Sequence, residues 1–133
     1  EFNNSADEQA KFLQIWIFPN KKGIVPRYDQ KKFASPLPPN VFHTYVSPDN
    51  KEDTILINQD AWLSRAAITA QNKVPYQVHL KTNGIFLFVI SGEVTVADQT
   101  LKARDAIGIT EMSDISVKGN TDADVLLIEV PME

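Results

Sequence analysis

The chain has 133 residues, 43% apolar and 23% charged, a composition that suits one globular domain built on one hydrophobic core. Its net charge of −4, with no basic run longer than Lys21-Lys22 or Lys31-Lys32, argues against a nucleic-acid partner, whose phosphates require a basic face. The lack of cysteine excludes disulfides, thiolate metal sites and cysteine nucleophiles, and no apolar run has the length needed to cross a bilayer. The N-terminal residues Glu1-Phe2-Asn3-Asn4-Ser5 carry neither the charged nor the apolar region of a signal peptide, so a cytoplasmic setting without membrane or nucleic-acid partners is expected.

In chain order, the first predicted element is a strand over residues 12–18, Phe12-Leu13-Gln14-Ile15-Trp16-Ile17-Phe18, closed by Pro19-Asn20. Pro26, Pro36, Pro38 and Pro39 follow, and so much proline excludes a helix or a central strand. Residues 1–39 therefore read as an inter-domain strand and proline-rich connection, and residues 40–133 as a β-domain. Strands are predicted there over 42–47, 54–58, 62–69, 76–81, 85–90, 93–97, 105–109, 115–118 and 125–130. Reversals are expected between them at Asn83-Gly84, Ser91-Gly92, Asp98-Gln99 and similar turn signals. Short strands at this spacing predict an all-β antiparallel sandwich or barrel with little helix. Val94 and Val96 should share a buried face, and residues 85–90, apolar on both faces, should lie between two packed layers.

Gln77, His79 and Lys81 alternate with Val78 and Leu80. One polar face of an antiparallel strand is usually solvated, which would put His79 outside. The alternative has His79 and Lys81 lining a cavity with Trp62, Phe86 and Phe88, where an imidazole could bind a ligand or transfer a proton. His43 reads as a partly buried strand residue. The glycines are scattered singly, so there is no phosphate-binding loop, and Ser91-Gly92 has no reason to sit beside a His-Asp pair.

Several segments resemble the pirin family of bicupins. Leu13-Gln14-Ile15-Trp16-Ile17, Gly23-Ile24-Val25-Pro26-Arg27-Tyr28 and Gln30-Lys31-Lys32-Phe33 resemble the stretch joining that family's two halves. Val89-Ile90-Ser91-Gly92-Glu93-Val94-Thr95-Val96, Arg104-Asp105-Ala106-Ile107-Gly108-Ile109 and the closing run from Val125 to Pro131 resemble the second half in bacterial members. The resemblance implies a jelly-roll cupin barrel, the C-terminal half of a two-cupin protein. In that family the N-terminal half holds one iron or other divalent metal on three histidines and a glutamate. Glu1-Phe2-Asn3 matches the end of the family's His-Ser-Glu-aromatic-Asn pattern, so Glu1 would be the fourth ligand, with its histidines upstream; otherwise Glu1-Phe2 is an arbitrary start.

General cupin ligand positions, anchored on Gly92, fall on His79, Lys81, Ile85 and either Asp114 or Ile115. Only one of them carries an imidazole, so no cofactor is expected in this half. The resemblance implies a quercetin 2,3-dioxygenase-like whole protein, with this chain as a structural partner of the metal-bearing N-terminal cupin. The alternatives are a small-molecule-binding barrel or a regulatory protein-interaction module. Without the partner half, the strand over 12–18 is expected to pair with its own barrel or with a second copy of the chain.

Overall fold

A computed structural model describes residues 3–49, 51 and 53–132. Its elements are all strands: β1 (His43–Ser47), β2 (Ile55–Leu56), β3 (Trp62–Ile68), β4 (Lys73–Gln77), β5 (Asn83–Ser91), β6 (Glu93–Val96), β7 (Gln99–Lys102), β8 (Ala106–Ile109), β9 (Asp114–Gly119) and β10 (Ala123–Pro131). They form a six-stranded sheet in the order β2-β1-β3-β10-β5-β8 and a four-stranded sheet in the order β4-β9-β6-β7. The expected barrel is thus a jelly-roll sandwich of two facing sheets and does not close on itself.

The alternation of side chains explains how the sheets face each other. In β3, Trp62, Ser64, Ala66 and Ile68 are buried, while Leu63, Arg65 and Ala67 between them are only partly covered. Ile85, Leu87 and Val89 of β5 and Val125 and Leu127 of β10 point the same way, and Val94, Val96, Ile115 and Val117 meet them from the other sheet. Leu87, Val94, Val117, Val125 and Leu127 have no exposed surface, so the interior between the sheets is packed with side chains. Leu127→Ala is expected to lower stability by roughly 2–5 kcal/mol, because neighbours on both sheets cannot collapse into the space. A urea titration would show this as a lower midpoint with an unchanged slope.

Several predicted boundaries move, each for a local reason. The strand expected over 76–81 is β4, four residues earlier at its end, and it includes Pro75. Proline is tolerated because β4 is an edge strand. Val78 N donates to Ser113 O at 2.9 Å, continuing the register in which Tyr76 faces Ile115 and Val74 faces Val117. The donors of alternate residues therefore face β9, and the nitrogen of Pro75, which has none to offer, lies on the open side.

Asn83-Gly84 opens β5 instead of reversing the chain, and Ser91-Gly92 is a corner, not a hairpin. The chain leaves one sheet at Ser91 and enters the other at Glu93, with Gly92 at φ +80°. The hairpin near 98 turns on Ala97 and Asp98, both at positive φ, and Gln99 already belongs to β7, a strand whose polar sequence hid it.

Residues 12–18 form no strand. The segment runs beside the end of β2, meeting it through Gln59 Nε2 donating to Phe18 O at 3.0 Å and Asn20 N donating to Asn58 O at 2.9 Å. With two residues, β2 offers almost no ladder to extend. Arg27 donates to Leu56 O, Lys31 Nζ donates to Thr54 O at 2.6 Å, and Phe33 stacks on Tyr45 with ring centroids 4.2 Å apart, so the connection is pinned across β1 and β2.

The second layer expected over residues 85–90 is thin. Phe12, Leu13 and Ile15 pass over the outer face of the larger sheet and leave a cleft of about 550 Å³ against Leu63, Phe88 and Leu126. Phe12, Trp16 and Phe18 remain 71%, 81% and 83% exposed, and Phe86 on the same outer face is 45% exposed.

Candidate functional site

The packed interior ends in a polar layer. Glu129 follows Val125 and Leu127 on the inward face of β10, and its side chain has no exposed surface. A carboxylate in that position is stable only if its oxygens are fully hydrogen-bonded. Oε1 accepts from His79 N at 2.9 Å, Leu80 N at 3.2 Å and Asn83 Nδ2 at 2.9 Å. Oε2 accepts from Tyr76 OH at 2.9 Å and lies 2.8 Å from His79 Nδ1.

These donors come from the end of β4, the connection after it and the start of β5, so Glu129 ties residues 76–83 to the centre of the larger sheet. Burial by itself would raise the Glu129 pKa. The hydrogen bonds from the His79 ring, Asn83, the His79 backbone and Tyr76 outweigh it and hold the carboxyl below its ordinary value. The Tyr76 hydroxyl is pushed well above its usual range by burial, then by the neighbouring Glu129 charge and its hydrogen bond to that carboxylate.

His79 lies flat on Trp62, with centroids 4.2 Å apart and planes within 3°. The two rings form one wall of a cleft of about 460 Å³ at the open end of the sandwich, completed by Phe33, Leu37, Phe42 and Tyr45. Trp62 is 5% exposed and its Nε1 is buried without an acceptor, a deficit of roughly 1–3 kcal/mol. His43 is partly buried in β1, its Nε2 3.1 Å from Pro38 O.

The residues singled out from the sequence do not converge on one cavity. Trp62 and His79 share the cleft. Lys81 is exposed beside a separate hollow with Thr110, Glu111 and Met132. Phe86 and Phe88 point to the opposite, outer face of the sheet. Glu1 lies outside the described residues. His79 is not on a solvated strand face either: it follows β4, and its ring turns inward to Glu129.

The general cupin ligand positions fare no better. His79 Nδ1 is engaged by Glu129, Ile85 and Ile115 are core residues, and Lys81 and Asp114 are exposed on different elements. Among the described residues, no group of three or more His, Cys, Asp or Glu is arranged to hold a metal ion. The donor set therefore does not fit a cupin metal.

Sequence reasoning passed over Glu129. The signal was present: one carboxylate in the apolar run Val125-Leu126-Leu127-Ile128-Glu129-Val130, on the same parity as the buried Val125 and Leu127.

A family profile described as the quercetinase C-terminal cupin domain matches residues 44–130, from β1 to β10. The chain belongs to this family. It is 29% identical over 131 residues to quercetin 2,3-dioxygenase of Escherichia coli K12, covering 98% of this chain and 55% of that protein. A pirin-like protein of Caulobacter vibrioides is 28% identical over 127 residues, covering 95% and 54%. The crystal structure of YhhW from Escherichia coli superposes with a TM-score of 0.78 at 28% identity, covering 87% of this chain and 48% of that one, and a nickel(II) complex of the same bacterial pirin gives 0.77.

The cupin domain described here thus spans about half the length of the curated relatives it matches. Pirin-like, quercetinase-like and cupin are the terms its sequence and fold support together, as the resemblance of its segments implied. Among the described residues there is no helix long and apolar enough to cross a membrane.

Proposed function

We propose that this domain is the metal-free C-terminal half of a two-cupin protein and packs against a metal-bearing N-terminal cupin. The observation that carries this reading is the exposure of the large apolar side chains of Phe12, Trp16, Phe18 and Phe86 in a chain that spans about half the length of its relatives. An apolar surface of this kind on an otherwise well-packed domain marks an interaction site. Residues 1–39 serve as the connection between the halves. The whole protein is a metal-dependent enzyme of the quercetin 2,3-dioxygenase type in a cytoplasmic setting, with one iron or other divalent ion held upstream and Glu1 completing that site.

The two tryptophans provide the test. Trp62 is 5% exposed and Trp16 is 81% exposed, so acrylamide quenching of this chain reports almost wholly on Trp16. In the longer protein, Trp16 emission is expected to shift to shorter wavelength and lose most of its quenching; equal quenching in both would overturn the packing arrangement. Dialysis of this chain against nickel(II), followed by elemental analysis, is expected to leave only substoichiometric metal. One tightly held equivalent would defeat the metal-free assignment.

A further inference from the structure

The cleft at the open end of the sandwich has a chemistry that neither the packing of two halves nor a metal upstream uses. We propose that it binds a small neutral molecule with an apolar body and a hydroxyl group, held by a hydrogen bond from that hydroxyl to His79 Nε2. The buried carboxylate of Glu129 is an acceptor, so the ring proton of His79 sits on Nδ1, 2.8 Å away. In the neutral imidazole Nε2 is then left as an acceptor, and it makes no hydrogen bond to any described residue.

The ring cannot turn to hide that lone pair, because Glu129 holds one edge and Trp62 covers one face. The side chain keeps 39% of its surface exposed, on the cleft side. Phe33, Leu37, Phe42 and Trp62 supply apolar surface, and about 460 Å³ is room for one small ring; Asp49 and Lys51, paired at 3.5 Å, and Asp53 also line the cleft. A carboxylate ligand would be repelled by the Nε2 lone pair. An ammonium ligand seated against the His79 ring would lose water without reaching Glu129, whose oxygens are sealed beneath the ring by their own donors, and of the other carboxylates lining the cleft Asp49 is already paired with Lys51; competition from Asp53 is what the benzylamine arm reads. A neutral hydroxyl donates to Nε2 with neither cost. Glu129 is a positioning residue here, fixing tautomer and orientation from behind.

The test is an NMR titration of the 133-residue chain with phenol, toluene, benzylamine and benzoate, reading the His79 imidazole carbons and the Trp62 indole. Phenol is expected to shift both sets saturably and to bind about three- to tenfold more tightly than toluene, the increment of one neutral hydrogen bond. Benzylamine and benzoate should bind more weakly than phenol. His79→Phe, which keeps a ring against Trp62 but removes Nε2, should abolish the preference for phenol over toluene. Equal affinity for phenol and toluene in the unaltered chain, tighter binding of either charged probe, or unmoved His79 signals would each overturn the proposal, and these readings stand even if the variant fails to fold.

Discussion

Replacing Glu129 with alanine is expected to lower the unfolding free energy by roughly 3–5 kcal/mol, among the largest effects of any single change in the domain. The truncation removes the acceptor for Tyr76 OH, Asn83 Nδ2 and the backbone donors of His79 and Leu80 together, in a layer that water does not reach. Each stranded donor carries a desolvation cost, and the connection from β4 to β5 loses its anchor. Glu129→Gln should cost less, since one carbonyl oxygen keeps part of the set while the amide opposes the proton on His79 Nδ1. Chemical denaturation would decide the matter: an alanine variant within about 1 kcal/mol of the parent would mean that water or a shifted side chain takes over these bonds.

The same carboxylate sets a pH dependence. Its folded-state pKa lies below its unfolded value, so between the two the unfolded chain binds more protons. The contribution is complete above the unfolded pKa, an ordinary carboxylate value, and is lost as pH falls through the folded one. Stability measured from neutral to acid pH should decline across that window, and Glu129→Gln should remove this part of the slope. An identical slope in the variant would assign the acid sensitivity to other carboxylates.

Gly92→Ala is the second large effect, expected at roughly 3–5 kcal/mol. At φ +80° an L-residue already pays about 1–2 kcal/mol. A methyl group would also lie 2.2 Å from Asp122 O, 2.7 Å from Ala123 Cα and 2.8 Å from Ala123 Cβ, and two of these are backbone atoms at the start of the central strand β10. The corner would have to open, loosening the crossing from one sheet to the other. Gly23 is the control: it sits at φ +71° with nothing within 4 Å of an added methyl, so Gly23→Ala meets only the backbone term, about 1 kcal/mol. Thermal melts of the pair should separate widely; equal shifts would show that the corner yields and that the clash carries no weight.

Much of the sandwich was legible because its pattern has period two. Val94 and Val96 share the buried face as their spacing requires, and the predicted centres of β1, β3, β5, β6, β9 and β10 all lie within the observed strands. Errors gathered where local sequence is ambiguous. Gln99 to Lys102 has no apolar alternation to announce β7, and β4 runs through Pro75, a residue that disfavours strands except at the edge position this one holds. Residues 12–18 have strong β character, but strand formation needs an edge with free donors and acceptors, which propensity cannot supply. The polar layer was half visible. His79 and Trp62 drew notice for their chemistry, but only three-dimensional pairing shows that the ring belongs to Glu129, fifty residues downstream. Phe86 and Phe88 enter the alternative cavity reading because parity alone does not say which face of an apolar strand looks inward.

Pro75 obstructs one of the edges along which copies of this domain could add strand to strand. The outer rim of the smaller sheet lacks one donor in the middle of β4, so a neighbouring strand laid along it meets a gap and cannot propagate a continuous fibril-like ribbon. Exposed Phe12, Trp16 and Phe18 offer a second, apolar route to precipitation. Acidic replacements at those three positions, more than further rim prolines, are the route to a soluble preparation.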